Sequence, residues 1–283
     1  MPRVLIAGCG YVGAVAAARL AERDWQVEAW TRSSESAGKL AAEGFRALAL
    51  DISDAGQVDQ CKSEFDAVIH CASTRGGNAD LYRQVYLEGV RNLLARFSQS
   101  SLLFVSSTSV YAQSGGEWVT EESAAEPTHP TGKILREAEQ LALAHNGIVA
   151  RLAGIYGPGR SHLLKTFLAG EAAVDSGNDR FVNQIHREDA ASALAFLLDR
   201  QAPRGQTFNV VDDEPILRSE CYRWLAAKLN RAQSAAGATA PQRKRGSSNK
   251  RVSNAKLRSL GWRPQYPTFA DGMERSVLPS FGL

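Results

Sequence analysis

No stretch of the sequence is apolar enough to cross a membrane. The longest weakly polar stretch stops at Arg19, far short of the roughly 20 residues that a bilayer requires. Residues 1–6 run directly into a strand-like pattern and lack the apolar core and cleavage site of a secretory signal. We therefore expect a cytoplasmic protein without a membrane partner.

Cysteine is scarce, and its four residues form no CxxC pair and have no histidine at metal-ligand spacing. Cys9 and Cys71 end apolar runs, which favours buried thiols in a reducing compartment. HxxxH motifs and carboxylate clusters are absent as well, so we predict no metal site. A chain of 283 residues can bury roughly 75% of its unfolded surface, and so needs no disulfide or metal to hold a core.

Charge of either sign is modest, at 22% of the residues with a net value of +3. The excess is local, because residues 241–258 carry seven cations and no acid. They are Arg243, Lys244, Arg245, Lys250, Arg251, Lys256 and Arg258. One basic stretch without interleaved aromatic residues favours a site for a small anion, and we expect no nucleic-acid partner.

Short apolar runs alternate with helical patterns along the chain. Strands are predicted at residues 4–7, 27–30, 46–50, 66–71, 102–106, 148–152 and 207–211. Helices are predicted at residues 11–22, 36–43, 80–97, 133–145, 190–199 and 220–229, with loops at 113–131 and 231–249. The alternation predicts an α/β fold, a Rossmann-type doubly wound parallel sheet.

Domain organisation follows from the same pattern. Residues 1–160 are expected to form a dinucleotide-binding core. We predict that residues 161–283 form a mixed C-terminal part, a small substrate lobe with segments that return to the core.

A glycine-rich turn, GCGYVG, joins the first predicted strand to the first helix. It comprises Gly8, Cys9, Gly10, Tyr11, Val12 and Gly13. In a GxGxxG turn the first glycine makes the tight turn, the second admits a pyrophosphate, and the third lets the helix pack on the strand. The helix N-terminus then offers its free N–H groups to the phosphates.

The end of the second strand selects the nucleotide. An NAD site usually has an acid here for the ribose 2′-hydroxyl, but this chain has Thr31, Arg32 and Ser33. Arg32, with two hydroxyl neighbours, suits a 2′-phosphate and favours NADP over NAD. The alternative is an arginine that only faces solvent.

Eight blocks in order resemble the extended short-chain dehydrogenase/reductase superfamily, the group of NAD-dependent epimerases and dehydratases. Asp51 and Ile52 resemble the pair that contacts adenine, and Cys71, Ala72 and Ser73 the segment beside the cofactor ribose and pyrophosphate. The other six blocks are GVRNLL (89–94), VSSTSVY (105–111), RLAGIYGPGR (151–160), QIHREDAASAL (184–194), FNVVDDEP (208–215) and LGWRPQYPTFADG (260–272). The resemblance implies a nucleotide-sugar-like substrate and maps the catalytic Ser or Thr of the family onto Ser107.

The chain departs from that family where the family carries its proton relay. Its first turn reads GxGxxG rather than GxxGxxG, Tyr86 replaces a structural Asn, and the YxxxK pair is missing. One alignment puts His129 and Lys133 at the Tyr and Lys positions. The other puts Thr131 and Leu135 there, with Glu139 at the position of a helix acid, and we favour it. A threonine hydroxyl does not ionise near neutral pH, whereas a histidine can act as acid or base.

Four further side chains are candidates, and two of them have open roles. Ser107 either binds a substrate oxygen or caps the strand end, and Tyr111 either faces the substrate or packs. Tyr156 and His186 are expected to order the structure.

Two functions remain open from the sequence. One is an NADP(H)- or NAD(H)-dependent oxidoreductase or epimerase with an altered relay, which binds a small-molecule substrate at the carboxyl edge of the sheet. The other is a non-catalytic dinucleotide-binding sensor or scaffold, and the fold alone does not choose between them. Residues 80–97 and 133–145 form a dimer surface in many relatives, so a homodimer is one candidate assembly.

Overall fold

The computed structural model describes residues 1–74, 76–172, 179–199, 202–231 and 248–283. Its strands in chain order are β1 (Arg3–Ala7), β2 (Gln26–Thr31), β3 (Arg46–Ala49), β4 (Ala67–His70), β5 (Ser101–Ser107), β6 (Glu117–Val119), β7 (Ile148–Leu152), β8 (Gly154–Tyr156), β9 (Phe181–Val182), β10 (Gln184–His186), β11 (Thr207–Val210), β12 (Ile216–Leu217) and β13 (Lys250–Val252). Each of the seven predicted core strands is present.

Those seven strands form one parallel sheet in the order β11-β7-β5-β4-β1-β2-β3. β7 is buried along its whole length, as is β4, because helices cover both faces of a parallel sheet. The strand order reverses between β1 and β4. A crevice therefore opens at the carboxyl ends of these two strands, where open α/β sheets hold their ligands.

The helices are α1 (Gly13–Ala21), α2 (Ser34–Ala42), α3 (Ala55–Asp59), α4 (Ala79–Tyr82), α5 (Gly89–Arg96), α6 (Pro130–Ala144), α7 (His162–Leu168), α8 (Arg187–Asp199), α9 (Arg218–Leu229), α10 (Ala255–Ser259), α11 (Phe269–Gly272) and α12 (Leu278–Ser280). α1 packs against α8, and α5 packs against α6. Right-handed crossovers on either side of the reversal place these two pairs on opposite faces of the sheet. The fold is therefore the predicted doubly wound, Rossmann-type α/β sheet. No helix in the described ranges is long and apolar enough to cross a membrane.

The helix predicted at 80–97 is interrupted. Residues Arg83–Glu88 form a π-helical turn between α4 and α5. The carbonyl of Val85, within that turn, accepts a hydrogen bond of 2.9 Å from Nε2 of the buried His70. A π turn carries no signature in apolar spacing, so the sequence pattern could not reveal it.

The predicted loop at 113–131 is partly ordered as a strand. β6 pairs in parallel with β13, which lies far along the chain. Such a pairing depends on two short, distant segments and gives no local pattern. Most of the other predicted loop, at residues 232–247, lies outside the described residues.

A second, smaller apolar cluster lies beside the main core. It includes Tyr156, Leu164, Phe167, Tyr222, Phe269 and Met273. β11 and α8, by contrast, belong to the main core and sheet. The part of the chain after residue 160 thus contributes both to the sheet and to this second cluster.

Candidate functional site

The glycine turn has the geometry that a pyrophosphate site needs. Gly8 has a φ of +93°, and a Cβ there would lie 2.2 Å from the backbone of Ala72. A Cβ on Gly13 would lie 3.0 Å from Gly8 O and 3.2 Å from Ile6 Cγ2, so this glycine allows the close helix–strand contact. At Gly10 the nearest heavy atom is 4.0 Å from a built Cβ, so its outer side is open.

The N-terminus of α1 has neither a side-chain cap nor an acidic residue that would compete with a bound anion. Val12 at the N-cap makes no side-chain cap, and the first turn holds no acid. The first N–H groups of a helix have no intrahelical partner, so here they can bind phosphate oxygens. The turn therefore fits the diphosphate of a dinucleotide.

The end of β2 leaves one cationic group available. Thr31 is buried and donates its hydroxyl to Ser33 O, and Ser33 caps α2 by accepting from Ser36 N. Arg32 is exposed and makes no ion pair among the described residues. Of the three predicted residues, Arg32 is therefore the one whose side chain stays free for a phosphate.

The turn after β3 lies at the carboxyl edge of the sheet. Asp51 Oδ1 accepts hydrogen bonds from the backbone N–H and hydroxyl of Ser53, and Ile52 is buried behind it. Asn92 donates to the carbonyl of Ile52 and fixes this turn to α5.

The segment after β4 packs against the glycine turn at the carboxyl edge of the sheet. Cys71 donates its N–H to Ala7 O, Ala72 lies against Gly8, and the exposed Ser73 follows. Burial raises the pKa of Cys71 to about 12, and that of Cys9 likewise, so both thiols stay protonated. Cys9, Cys61 and Cys221 are buried and Cys71 is half-buried, as expected for packed, unmodified thiols.

Ser107 ends β5 at the carboxyl edge and caps the short 3₁₀ turn that follows. Its Oγ accepts a hydrogen bond of 3.1 Å from Ser109 N. Within the described part of the chain, no contact uses its hydroxyl proton. Ser107 therefore serves as a cap and keeps a donor for a substrate oxygen.

Tyr111 does not face a substrate, so that alternative is wrong. Its side chain is 1% exposed, its hydroxyl donates to Asn209 Oδ1 at 2.9 Å, and it accepts from Arg151 at 2.7 Å. Burial raises the pKa of the phenol. The residue links the loop after β5 to β7 and β11.

The residues of the two relay alignments differ in where they lie on α6. Glu139 is fully buried and points inward, where it accepts from Ser106 and Arg151. Thr131 and Leu135 precede it at four-residue steps and share its face, whereas Lys133 is exposed on the outer surface.

That placement contradicts a role for Lys133 beside a nicotinamide ring. His129 directly precedes α6, is exposed and makes no cap contact. Thr131 is thus half-buried in the first turn of α6, whereas His129 lies at the surface.

The described half of the basic stretch is committed to internal contacts. Lys250 is buried and donates to Tyr111 O and Ser248 Oγ, and burial lowers its pKa to about 8. Arg251 lies between the rings of Trp118 and Phe181. Lys256 donates to Gln206, and Arg258 pairs with Asp213. Arg243, Lys244 and Arg245 lie outside the described residues.

His186 and Tyr156 hold the C-terminal lobe, as expected. His186 Nε2 lies 3.0 Å from Ser276 Oγ, and a Cβ on Gly272 would lie 2.0 Å from the Tyr156 hydroxyl. Burial lowers the pKa of His186 to about 4. No group of three His, Cys, Asp or Glu that could hold a metal occurs in the described ranges.

Sequence reasoning missed two arginines at the glycine turn. The guanidinium carbons of Arg160 and Arg187 lie 5.2 and 4.9 Å from the centroid of the Tyr11 ring. The three residues come from separate blocks of the sequence. No local pattern could have joined them.

Comparisons with known proteins agree with this geometry. The sequence model of the NAD dependent epimerase/dehydratase family matches residues 4–210. Protein YeeZ of Escherichia coli strain K12 is 31% identical over 239 residues, which cover 81% of this chain and 84% of YeeZ.

Solved structures give the same result. A Methylobacillus flagellatus protein named for the NAD-dependent epimerases/dehydratases superposes with a TM-score of 0.82 at 30% identity, covering 100% of this chain and 99% of its own. The dTDP-glucose 4,6-dehydratase DesIV of Streptomyces venezuelae, solved with NAD bound, gives 0.83 at 21% identity and covers 99% and 97%. The second likeness shows the fold alone. With the family match over most of the chain, the chain belongs to the NAD-dependent epimerase/dehydratase family.

Proposed function

We propose that the protein binds NADP(H) in preference to NAD(H) and acts as an oxidoreductase or epimerase/dehydratase-like enzyme on a small anionic substrate. The observation that carries this proposal is the open, uncapped glycine turn beside Arg32, which directly follows β2 and makes no ion pair with any described residue. An arginine in that place binds a 2′-phosphate, where an acid would repel it.

The residues of the crevice have distinct tasks in this proposal. Bound there, the nicotinamide ring would supply or accept a hydride. The N-terminus of α1 holds the diphosphate, and Asp51 and Ile52 border the adenine. Ser107, at the carboxyl end of β5, donates its hydroxyl proton to a substrate oxygen.

The proton relay differs from a Tyr–Lys pair. Thr131 is half-buried on the inward face of α6, and its hydroxyl can pass a hydrogen bond but does not ionise near neutral pH. His129, the residue before α6, is the ionisable group that the sequence offers near the start of this helix. We propose that Ser107 and His129 share the acid–base work when substrate is bound.

The substrate class is proposed by analogy with a neighbour. DesIV is a dTDP-glucose 4,6-dehydratase and shares the fold at 21% identity. We propose a nucleotide-sugar-like substrate between the carboxyl edge of the sheet and the C-terminal lobe, where α/β folds of this kind hold ligands.

One observation favours a second function, a non-catalytic dinucleotide sensor. Leu135 is 4% exposed and uncharged, at the position where the favoured alignment expects the relay lysine. A protein with this core could bind the dinucleotide and report its level without turning over a substrate.

The two functions separate in one experiment. Each compound of a panel of nucleotide sugars and keto compounds is incubated with NADPH or NADP⁺, and both the oxidation state of the nucleotide and the conversion of the compound are followed for the wild type, Ser107→Ala and His129→Ala. Ser109→Ala is the matched control, since Ser109 contributes only its backbone N–H to Ser107. The enzyme proposal expects turnover that Ser107→Ala or His129→Ala lowers at least about 10-fold.

Two results count against that proposal. If turnover survives both substitutions, the assignment of the acid–base groups is wrong. If no compound turns over while NADPH still binds tightly, the sensor is the better description.

A further inference from the structure

Two arginines from distant parts of the chain enclose the side chain of Tyr11, the fourth residue of the GxGxxG turn. We call Arg160, in the turn after β8, and Arg187, the first residue of α8, the arginine pair. Their guanidinium carbons lie 5.2 and 4.9 Å from the centroid of the Tyr11 ring, one cation–π contact each. The pair is therefore fixed to the glycine turn through an aromatic ring.

The ring itself is held in one place. The Tyr11 hydroxyl donates to Pro158 O at 3.0 Å. A Cβ on Gly157, where φ is +155°, would lie 2.8 Å from that hydroxyl and 3.1 Å from Arg187 Cβ. Only glycine leaves room for this contact, so the turn after β8 and the start of α8 close on Tyr11 together.

The charge of this cluster is not balanced by protein groups. Glu188 is its one acid, and it is shared between Arg187 at 2.9 Å and Arg19 at 3.2 Å. Arg160 is exposed and makes no ion pair within the described part of the chain. Arg187 therefore shares its acid with Arg19, and Arg160 has none in the described part of the chain, which leaves an excess of positive charge at the arginine pair.

An unpaired donor marks the same place. The Arg187 Nε is buried and has no hydrogen-bond partner among the described residues. A buried N–H without a partner is costly unless a ligand completes it. Burial raises the pKa of Tyr11, while both arginines act to lower it, which shows that their charges reach the ring.

We infer that the arginine pair extends the dinucleotide site and binds the pyrophosphate, whose negative charges the two guanidinium groups complement. The inference rests on the proposed function, because it needs a dinucleotide on the glycine turn. It adds two side chains, from α8 and the turn after β8, to a site otherwise built from backbone N–H groups. Binding would tie the C-terminal part of the chain to the first glycine turn.

The test measures binding by titration calorimetry with two probes, NADH and ADP-ribose. Both contain the pyrophosphate, and ADP-ribose lacks the nicotinamide. The variants are Arg160→Gln, Arg187→Gln and the charge-conserving Arg160→Lys. Arg23→Gln is the control, since Arg23 follows α1 at its far end and pairs only with Asp199 in the described structure. Thermal melts confirm that each variant is folded.

We expect each glutamine substitution to lower the affinity for both probes by the same factor, roughly 10-fold. Arg160→Lys should lose less affinity for the probes than Arg160→Gln, and the affinity of Arg160→Lys should fall as the salt concentration rises. Arg23→Gln should bind both probes as the wild type does.

Equal affinity of the wild type and both glutamine variants would overturn the inference and leave the proposed function standing. A loss of affinity for NADH without a loss for ADP-ribose would also overturn the inference, because the arginine pair would then contact the nicotinamide part of the dinucleotide. A wild-type chain that binds neither probe would overturn the inference, and one that also fails to bind NADPH would overturn the proposed function as well.

Discussion

The carboxylate of Glu139 holds the guanidinium of Arg151 through two hydrogen bonds, from Nε at 3.0 Å and from Nη2 at 2.8 Å. Both side chains are buried, and the pair joins α6 to β7. Arg151 also donates to Tyr111, and Ser106 donates to Glu139. This network fixes the rotation of α6, and with it the side of the helix that faces the crevice.

Glu139→Ala should destabilise the protein by about 3–5 kcal/mol, because it leaves the buried Arg151 charge without its partner. Urea denaturation followed by circular dichroism measures the change. Glu35→Ala is the control, since it breaks the exposed Glu35–Lys39 pair and should not move the midpoint. A loss below about 1 kcal/mol in Glu139→Ala would mean that Arg151 finds water or another acid.

The sequence predicts the sheet and the glycine turn well, because both depend on local patterns. The run at β1 is apolar at every buried position, and the tasks of Gly8 and Gly13 follow from their place between strand and helix. The sequence also allowed the exposure of Lys133 to be predicted, because Glu139 marks the inward face of the helix and Lys133, six residues earlier, does not share that face.

Other features could not be predicted because they join distant residues. Tyr111 is buried by contacts with Arg151 and Asn209, which are 40 and 98 residues away. The arginine pair meets Tyr11 only after α8 packs against α1. Spacing within one segment carries no information on such contacts.

Gly13→Val should abolish dinucleotide binding, because the added side chain meets Gly8 O and Ile6 and pushes α1 away from β1. A stability loss of about 1–3 kcal/mol should accompany it. Titration with NADPH and a urea melt measure both effects. Gly38→Ala is the control, because nothing lies within 4 Å of a Cβ there, and it should stabilise α2 by about 0.5–1 kcal/mol without affecting binding. Unchanged NADPH affinity in folded Gly13→Val would remove the turn from the site.

Arg32→Ala should weaken NADP(H) binding roughly 10- to 100-fold, since a hydrogen bond to a charged group contributes about 1.5–3 kcal/mol. NAD(H) lacks the 2′-phosphate, so its affinity should stay nearly constant. Calorimetric titration of both nucleotides measures the ratio. Lys39→Ala, on α2 and paired with Glu35, controls for a general loss of positive charge. An equal loss of affinity for both nucleotides would show that Arg32 does not contact the 2′-phosphate.

The stability of the fold should depend on pH through His70. This side chain is completely buried, its Nε2–H bonds Val85 O, and its ring packs against Phe104 and Tyr86. Burial lowers its pKa from 6.5 to about 4. Below pH 6.5 the unfolded chain therefore takes up a proton that the folded chain does not, so stability is full above pH 6.5 and is lost as pH falls toward 4.

The loss from His70 should reach at most about 1.4 kcal/mol per pH unit within this window. His70→Gln keeps a donor for Val85 O and removes the titrating group, so its stability should fall less steeply between pH 6.5 and 4. Urea midpoints at half-unit pH steps measure the two slopes. His145→Gln is the control, because His145 is exposed at the end of α6 and its replacement should leave the wild-type slope intact. Parallel slopes for the wild type and His70→Gln would show that the folded protein protonates His70 as readily as the unfolded chain does.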